Sequence, residues 1–377
     1  MAVRIPDRFK GIDWWLVGAS GALFLFGLVA LYSLAEYGAI AFSIFWKQAA
    51  YGLLGIAIAL AFASVNMQLF KKHGGLILGL YAGMLVLLLG LLVFGEVVRG
   101  TRAWYRIGSF SIAPVEFAKI VFLLLLAKFF SDRHRDLYTV RHILVSLAYL
   151  GAMAGLVLLQ PDAGSALTLI ALWGGLLLFT GIRFRWVVTL FVAALIILAM
   201  AWQWGLQDYQ KERVKLLMNP SRDAQGIGYN VIQAKAAIGS GGLFGKGFGQ
   251  GTQGGRRFLP EASTDFIFAV VAEEQGLAGM VMVLGLFAVV WYRVVKIGSA
   301  ATHNFARIFA FGYAWLIAIH FFVNVGMNTG LFPVVGLPLP FVSYGGSHII
   351  SEFIGLGMVL AIALRETVRP TRHLVIE

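Results

Sequence analysis

The stretch Arg256 to Gln275, RRFLPEASTDFIFAVVAEEQ, concentrates the residues best suited to chemistry. Asp265 stands where a polar loop gives way to apolar residues beginning at Phe266, and Glu273 and Glu274 lie two turns further on. A charged side chain at bilayer depth costs about 2.5 to 3.5 kcal/mol on insertion scales, so carboxylates kept there call for a reason. The chemistry open to them is proton transfer. The plainer alternative for Asp265 is a helix N-terminal carboxylate stabilised by the dipole, worth about 0.3 to 1 kcal/mol, and on spacing alone that alternative wins.

Other polar groups recur at apolar positions. Pro114, a good first-turn residue, is followed by Glu116 and Lys119 at i, i+3 on one helical face, which reads equally as a structural ion pair and as a functional one. Asp162, in Gln160-Pro161-Asp162, suits a helix cap. His348 and Glu352 at i, i+4 lack a third ligand in the sequence and read as a hydrogen-bonded pair rather than a metal site. Arg99, Arg102 and Arg106 surround Trp104 and Tyr105, as in an interfacial aromatic belt with snorkelling arginines or an anion site. The glycine-rich run after Ile238 fails as a nucleotide loop: Ser240 occupies the first glycine position and Gly247 follows Lys246 where Ser or Thr is required. A flexible outer loop, able to close over a head group, is the better reading.

These groups must be held by membrane-embedded helices. Hydrophobic residues make up 59% of the 377, charged residues 13%, and mean hydropathy is +0.82, too apolar for a soluble domain of this length. The absence of cysteine excludes disulfides, thiolate catalysis and Cys-ligated metals. The net charge of +12 fits cytoplasmic loops and anionic lipid rather than nucleic acid. Apolar runs at 14–35, 42–64, 75–95, 114–130, 142–159, 163–181, 186–206, 266–292, 304–332 and 346–364 predict about ten transmembrane helices in an all-α integral membrane protein. Residues 1–377 form one polytopic domain in this reading, with a large extracellular loop, 207–264, between helices 7 and 8.

With both termini inside, 17 of the 30 Lys+Arg fall on the cytoplasmic side; outside, eight of 13 sit in the long loop, which counts little toward orientation. Segments 96–113, 207–264 and 333–345 then face outward together. Within the long loop, Arg213 to Met218 and Tyr229 to Ile238 read as short amphipathic helices. Pro333, Pro338 and Pro340 followed by Gly345 and Gly346 read as a re-entrant cavity wall.

Six stretches jointly resemble the signatures of the SEDS family, the shape, elongation, division and sporulation proteins: Arg99 to Trp104, Ala113 to Lys119, Gln160 to Asp162, Gln233 to Gly247, Phe258 to Phe268 and Pro338 to Ser347. They occur in the family's order over nearly the whole chain. Gly251-Thr252-Gln253 and Pro333 to Pro340 resemble the elongation branch more than the division branch. Two positions depart from the pattern: Ser263 stands where a His is usual, and Ala113 where a Gln is usual.

The resemblance implies a peptidoglycan glycosyltransferase of the bacterial cytoplasmic membrane, polymerising lipid II on its outer face. An inverting displacement of undecaprenyl pyrophosphate needs one base and no glycosyl-enzyme. Asp265 is assigned as that base, because the family motif carries its acid there. Charge on the leaving pyrophosphate calls for cations: Arg102 and Lys119 first, then Arg213, Lys235 and Arg256. A divalent cation, magnesium or manganese, is the alternative, although no protein metal ligands are assigned. Glu116 would hold Lys119, and Asp162, Gln233, Glu261, Thr264, Ser343 and Ser347 lie in the supporting motifs. The resemblance also implies a class B penicillin-binding protein as partner. Competing expectations are a lipid II flippase or transporter, for which intramembrane Glu273 and Glu274 would be natural, and a non-enzymatic scaffold.

Overall fold

The computed structural model describes residues 11–98, 100–108, 110–133, 140–200, 202–203, 211–212, 227–255 and 259–367. In chain order the helices are α1 (Trp14–Glu36), α2 (Phe42–Ser64), α3 (Gln68–Lys72), α4 (Gly74–Phe94), α5 (Pro114–Asp132), α6 (Val140–Leu159), α7 (Ala163–Phe179), α8 (Phe184–Met200), α9 (Ile227–Ser240), α10 (Thr252–Gly255), α11 (Ile267–Ala300), α12 (Asn304–Thr329) and α13 (Gly346–Thr367). Among the described residues, seven helices (α1, α2, α4, α6, α11, α12 and α13) are long and apolar enough to cross a membrane by length and composition, and α7 is a shorter apolar helix. The apolar run expected at 114–130 is helical as α5, and that expected at 186–206 is helical as α8 up to Met200, with 201 and 204–206 outside the described residues.

Local signals set several helix starts. Asp13 Oδ1 accepts the Leu16 amide at 3.0 Å to cap α1, and the same carboxylate takes Arg293 Nε of α11 at 2.7 Å, joining two helices at one end of the bundle. Pro114 opens α5 at its first turn. Asp162 caps α7 through the Ser165 amide at 3.0 Å, as its spacing predicts.

Burial separates centre from periphery. In its most apolar window α13 is 89% buried and α12 67%, against 22% for α2 and for α4. In a bilayer the helices that carry polar and ionisable side chains turn them to the bundle interior; α13, with Ser347, His348, Ser351 and Glu352 buried, accordingly lies along α2 and α5, and α12, with His320, Asn324 and Asn328 buried, against α5, α7 and α11. Glycines let these helices meet: a Cβ at Gly357 would come within 2.5 Å of the Ala59 carbonyl oxygen on α2.

Two features were not anticipated by the all-α expectation. Between α4 and α5 lies a three-stranded antiparallel sheet, β1 (Glu96–Val98), β2 (Thr101–Ile107) and β3 (Phe110–Ile112), in the order β1-β2-β3. The arginine-and-aromatic segment thus folds on itself, with Arg106 paired to Glu96 across the surface at 2.7 Å. The second feature is a break in α11 at Gly276, whose φ of 65° and ψ of −157° are open only to glycine. The helix continues beyond it to Ala300, eight residues past the predicted end.

Candidate active site

The acidic segment is a turn rather than a helix. Residues 261–266 are closed by Thr264 N–H and Phe266 N–H, which donate to the Glu261 carbonyl at 3.2 and 3.1 Å, and α11 begins only at Ile267. Phe266 occupies the N-cap position and makes no side-chain cap bond. Asp265 therefore stands one residue before the cap, not in the first turn of the helix. Its side chain is half-buried and lies beside Gly336, where a Cβ would stand 3.6 Å from Asp265 Oδ2.

The backbone carrying that carboxylate is gripped from two sides. From α12, the Asn324 and Asn328 amides each donate to the Asp265 carbonyl at 2.9 Å; Asn324 also donates to the Leu337 carbonyl at 2.8 Å, and Asn328 Oδ1 accepts the Ala269 amide at 3.1 Å. From segment 333–345, Ser343 Oγ donates to the Thr264 carbonyl at 2.6 Å and the Tyr344 amide to the Ser263 carbonyl at 2.9 Å. Thr264 Oγ1 donates to Glu261 Oε2 at 3.1 Å. Gln48 of α2 holds that segment in turn, donating to the Ser343 carbonyl at 3.0 Å and accepting the Gly345 amide at 3.1 Å. Buried polar backbone at this depth needs such partners. Burial, with a lesser effect of Tyr51, pushes the Tyr344 phenol above its ordinary range.

A second cluster lies behind this one. Lys119 is buried, with Nζ 2.8 Å from Glu116 Oε1 and 3.2 Å from His320 Nε2. Glu116 Oε2 is 2.8 Å from His348 Nδ1, and the His320 and His348 rings stack with centroids 5.2 Å apart. His348 Nε2 is 3.9 Å from Glu352 Oε1, so the expected His348–Glu352 hydrogen bond is replaced by one to Glu116. The i, i+4 spacing put the two residues on one face, but α5 supplies a closer acid. Tyr313 donates to the Glu352 carbonyl at 2.7 Å. His320 Nδ1 lies 3.3 Å from the Pro338 carbonyl, connecting the ion cluster to the segment beside Asp265. Ser347 Oγ accepts the Ala113 amide at 2.9 Å, closing α13 onto the start of α5.

The expected cations fall in different places. Lys119, expected as an anion ligand, is buried and engaged by Glu116 and His320 inside the cluster. Arg102 is exposed on β2, its guanidinium donating to the Leu92 carbonyl at 2.9 Å and its amide to the Gln160 carbonyl at 3.2 Å. Lys235 is exposed on α9, over Gly330 at the end of α12, two residues from Asn328. Helix α9 matches the predicted amphipathic segment: Val231, Ala234 and Ala237 are buried and Gln233 is half-buried. Arg213 and Arg256, like the helix expected at 213–218, lie outside the described residues. Among the described residues no group of three or more His, Cys, Asp or Glu is arranged to hold a metal ion.

The glycine-rich run is a docked segment, which corrects the flexible-loop reading. The Lys246 and Gly247 amides donate to the Glu273 and Glu274 carbonyls at 3.0 Å each. In return the Leu277 and Ala278 amides donate to the Gly242 and Leu243 carbonyls at 2.9 and 3.0 Å, so the run fills the break at Gly276. The buried Glu273 carboxylate accepts from Lys246 Nζ at 2.7 Å, Thr252 N–H at 2.7 Å and Gly254 N–H at 3.2 Å, while Glu274 accepts from Ser33 of α1. Sequence reasoning missed Asn324 and Asn328. With His320 they form an i, i+4, i+8 polar stripe on an apolar helix, the signal that could have found them.

A family model described as cell cycle protein, FTSW_RODA_SPOVE, matches residues 11–368. The peptidoglycan glycosyltransferase MrdB of Escherichia coli K12 is 37% identical over 312 residues, 82% of each chain. A probable peptidoglycan glycosyltransferase FtsW of Trichlorobacter lovleyi is 35% identical over 377 residues, 96% of this chain and 95% of that one. The crystal structure of the rod shape determining protein RodA of Thermus thermophilus superposes with a TM-score of 0.70 at 29% identity, covering 97% of this chain and 100% of that chain. A chain from a peptidoglycan synthase complex, whose structure concerns the coordination of polymerization and crosslinking, gives a TM-score of 0.81 at 31% identity over 95% of this chain and 99% of that one.

Proposed function

This chain belongs to the FtsW, RodA and SpoVE family, and from that premise we propose that it is a membrane-embedded peptidoglycan glycosyltransferase that polymerises lipid II, with Asp265 as general base. It spans the bacterial inner membrane several times. In the finer reading it does so ten times with both termini inside, which puts the sheet, α9, the acidic turn and segment 333–345 at the outer face. The observation that carries the assignment is the pairing of a half-buried carboxylate with a fixed backbone: Asn324 and Asn328 hold the Asp265 carbonyl while its side chain stays beside the side-chain-free Gly336. A base must be positioned before its pKa matters.

In the proposed reaction the 4-hydroxyl of the acceptor sugar attacks the anomeric carbon of the donor. Asp265 takes the hydroxyl proton, and undecaprenyl pyrophosphate leaves from the opposite face with inversion. Arg102 and Lys235, exposed cations at this end of the molecule, are the proposed contacts for the departing charge, with Arg213 and Arg256 of the same loop system. Lys119 serves as a positioning residue, coupling Glu116 to His320 and through it to Pro338. Gln233 and Glu261 support the site from α9 and the acidic turn. The partner in this reading is a class B penicillin-binding protein that crosslinks the product, supported by the resemblance to a synthase-complex chain. Elongation is the proposed context, on the Gly251-Thr252-Gln253 and Pro333 to Pro340 stretches.

The broken α11, with Glu273 and Glu274 at its break, is the feature that favours a carrier. Those acids are tied to Lys246, Thr252, Gly254 and Ser33, which suits a fastening more than an ion path. Asp265→Asn, purified with the partner and given labelled lipid II, is expected to lose glycan polymer by at least about a hundredfold, the low end of what a general base contributes, with an unchanged unfolding midpoint. Near-normal polymer from the variant would remove Asp265 from the chemistry. Lipid II crossing vesicle bilayers without polymer from the wild type would favour the carrier.

A further inference from the structure

At the other end of the bundle from Asp265 there is a cavity of about 170 Å³ between the α2–α3 junction, the start of α12 and the end of α13. Its cations are Lys71 and Arg365, with the His303 ring beside them, and among the described residues no carboxylate lines it. The Gln68 side chain adds an uncharged donor, and Phe305 and Ile362 give one wall an apolar surface. His303 is the N-cap of the 26-residue helix α12 and makes no side-chain cap bond, so the helix start contributes its dipole to the same space. The neighbouring acid Asp132 is engaged by Lys128 at 2.9 Å, while Lys128 also donates to the Lys71 carbonyl at 2.6 Å. Arg365 lines the cavity and is exposed at its rim, donating one N–H to the Ser64 carbonyl at 3.3 Å.

The level of the cavity is fixed by α12. That helix starts at His303 against the cavity and reaches Asn324 and Asn328 against Asp265. Its 1.5 Å rise per residue separates the two ends by about 32 to 38 Å, enough to cross a hydrocarbon core of about 30 Å and reach the interface beyond it. The cavity thus lies at the membrane–water boundary opposite the acidic turn. A cationic recess with one apolar wall at that depth matches a group that is anionic at its head and continues into acyl chains.

We propose that this recess binds the phosphate of an anionic phospholipid, with Lys71 and Arg365 on the phosphate oxygens and the glycerol carbons against Phe305 and Ile362. The site is independent of the polymerase reading and does not rest on it. The recess, about 170 Å³, has room for a phosphate and its first carbons.

The test uses the full chain in detergent, read by native mass spectrometry and by thermal unfolding, with phosphatidylglycerol, phosphatidylcholine and inorganic phosphate as separate probes. Phosphatidylglycerol is expected to give a retained one-lipid adduct and an upward midpoint shift that phosphatidylcholine and phosphate do not reproduce. K71Q/R365Q is expected to weaken the adduct about thirtyfold, from about 1 kcal/mol for each cation, and K71R/R365K to keep it. Equal binding of phosphatidylcholine, an equal shift with inorganic phosphate, or an undiminished adduct in K71Q/R365Q would overturn the proposal. The wild-type lipid comparison decides it even if the doubly neutral variant fails to fold.

Discussion

Two carboxylates deep in this molecule, Glu116 and Glu273, solve the cost of burial in opposite ways. Glu116 is satisfied by side chains from other turns and helices: Lys119 at 2.8 Å and, from α13, His348 at 2.8 Å, with His320 of α12 on the far side of Lys119. Glu273 takes a lysine too, at 2.7 Å, but also accepts backbone N–H groups of Thr252 and Gly254. The first arrangement clamps α5, α12 and α13 to one another. The second fastens a loop to the break in a helix. A buried charge satisfied only by other titratable side chains fails when one of them is removed, whereas one satisfied by backbone amides keeps most of its solvation.

The largest effect is therefore expected at Lys119. Lys119→Met leaves Glu116 inside the bundle with a single partner, and losing one member of a buried pair costs about 3 to 5 kcal/mol. Glu116→Gln together with Lys119→Met should recover much of that, because no uncompensated charge remains. Unfolding midpoints of the two singles and the double in one detergent check this; equal losses from the double and from Lys119→Met would show that the ion pair itself holds the helices.

Next comes Gly245→Ala. Gly245 has φ of 79°, and a Cβ there would stand 2.0 Å from the Glu274 carbonyl oxygen. The left-handed conformation alone costs a non-glycine residue about 1 to 2 kcal/mol, and the clash is with backbone, which has nowhere to move. The run 241–251 should leave the break at Gly276 while the clamp stays closed. Faster proteolytic cleavage in the loop with little change in the unfolding midpoint is the expected signature. A midpoint falling as far as that of Lys119→Met would erase the distinction between fastening and clamp.

What was legible in the sequence follows the same division. Apolar runs mark the helices because burial in lipid depends on composition over some twenty residues, and the cap at Asp162 is local. Asp265, Glu116 and Lys119 stood out as charges in apolar surroundings. The pairing of His348 with Glu116 did not, since it joins residues 232 positions apart. Nor did the docking of the glycine run: its conformations at Gly242, Gly245 and Gly247 require glycine, but composition alone reads such a run as a loop. The sheet between α4 and α5 was hidden by its short strands, of three, seven and three residues, whose pairing is set by two turns rather than by an alternating pattern.

The smallest effect, and the sharpest contrast, is expected from Lys246→Gln. Its side chain is 26% exposed, against 2% for Lys119, so water screens the pair it makes with Glu273. Removing the charge leaves Glu273 the Thr252 and Gly254 amides and the Thr252 hydroxyl at 3.0 Å. The cost should be below about 1 kcal/mol, the range of a partly exposed pair, and should shrink further as salt is raised. Lys119→Met should be nearly insensitive to salt, because a buried pair is little screened. Unfolding midpoints of both variants at low and high ionic strength separate the cases. If Lys246→Gln were as damaging as Lys119→Met and equally indifferent to salt, the amides would not be what holds Glu273, and the two acids would be one kind of site.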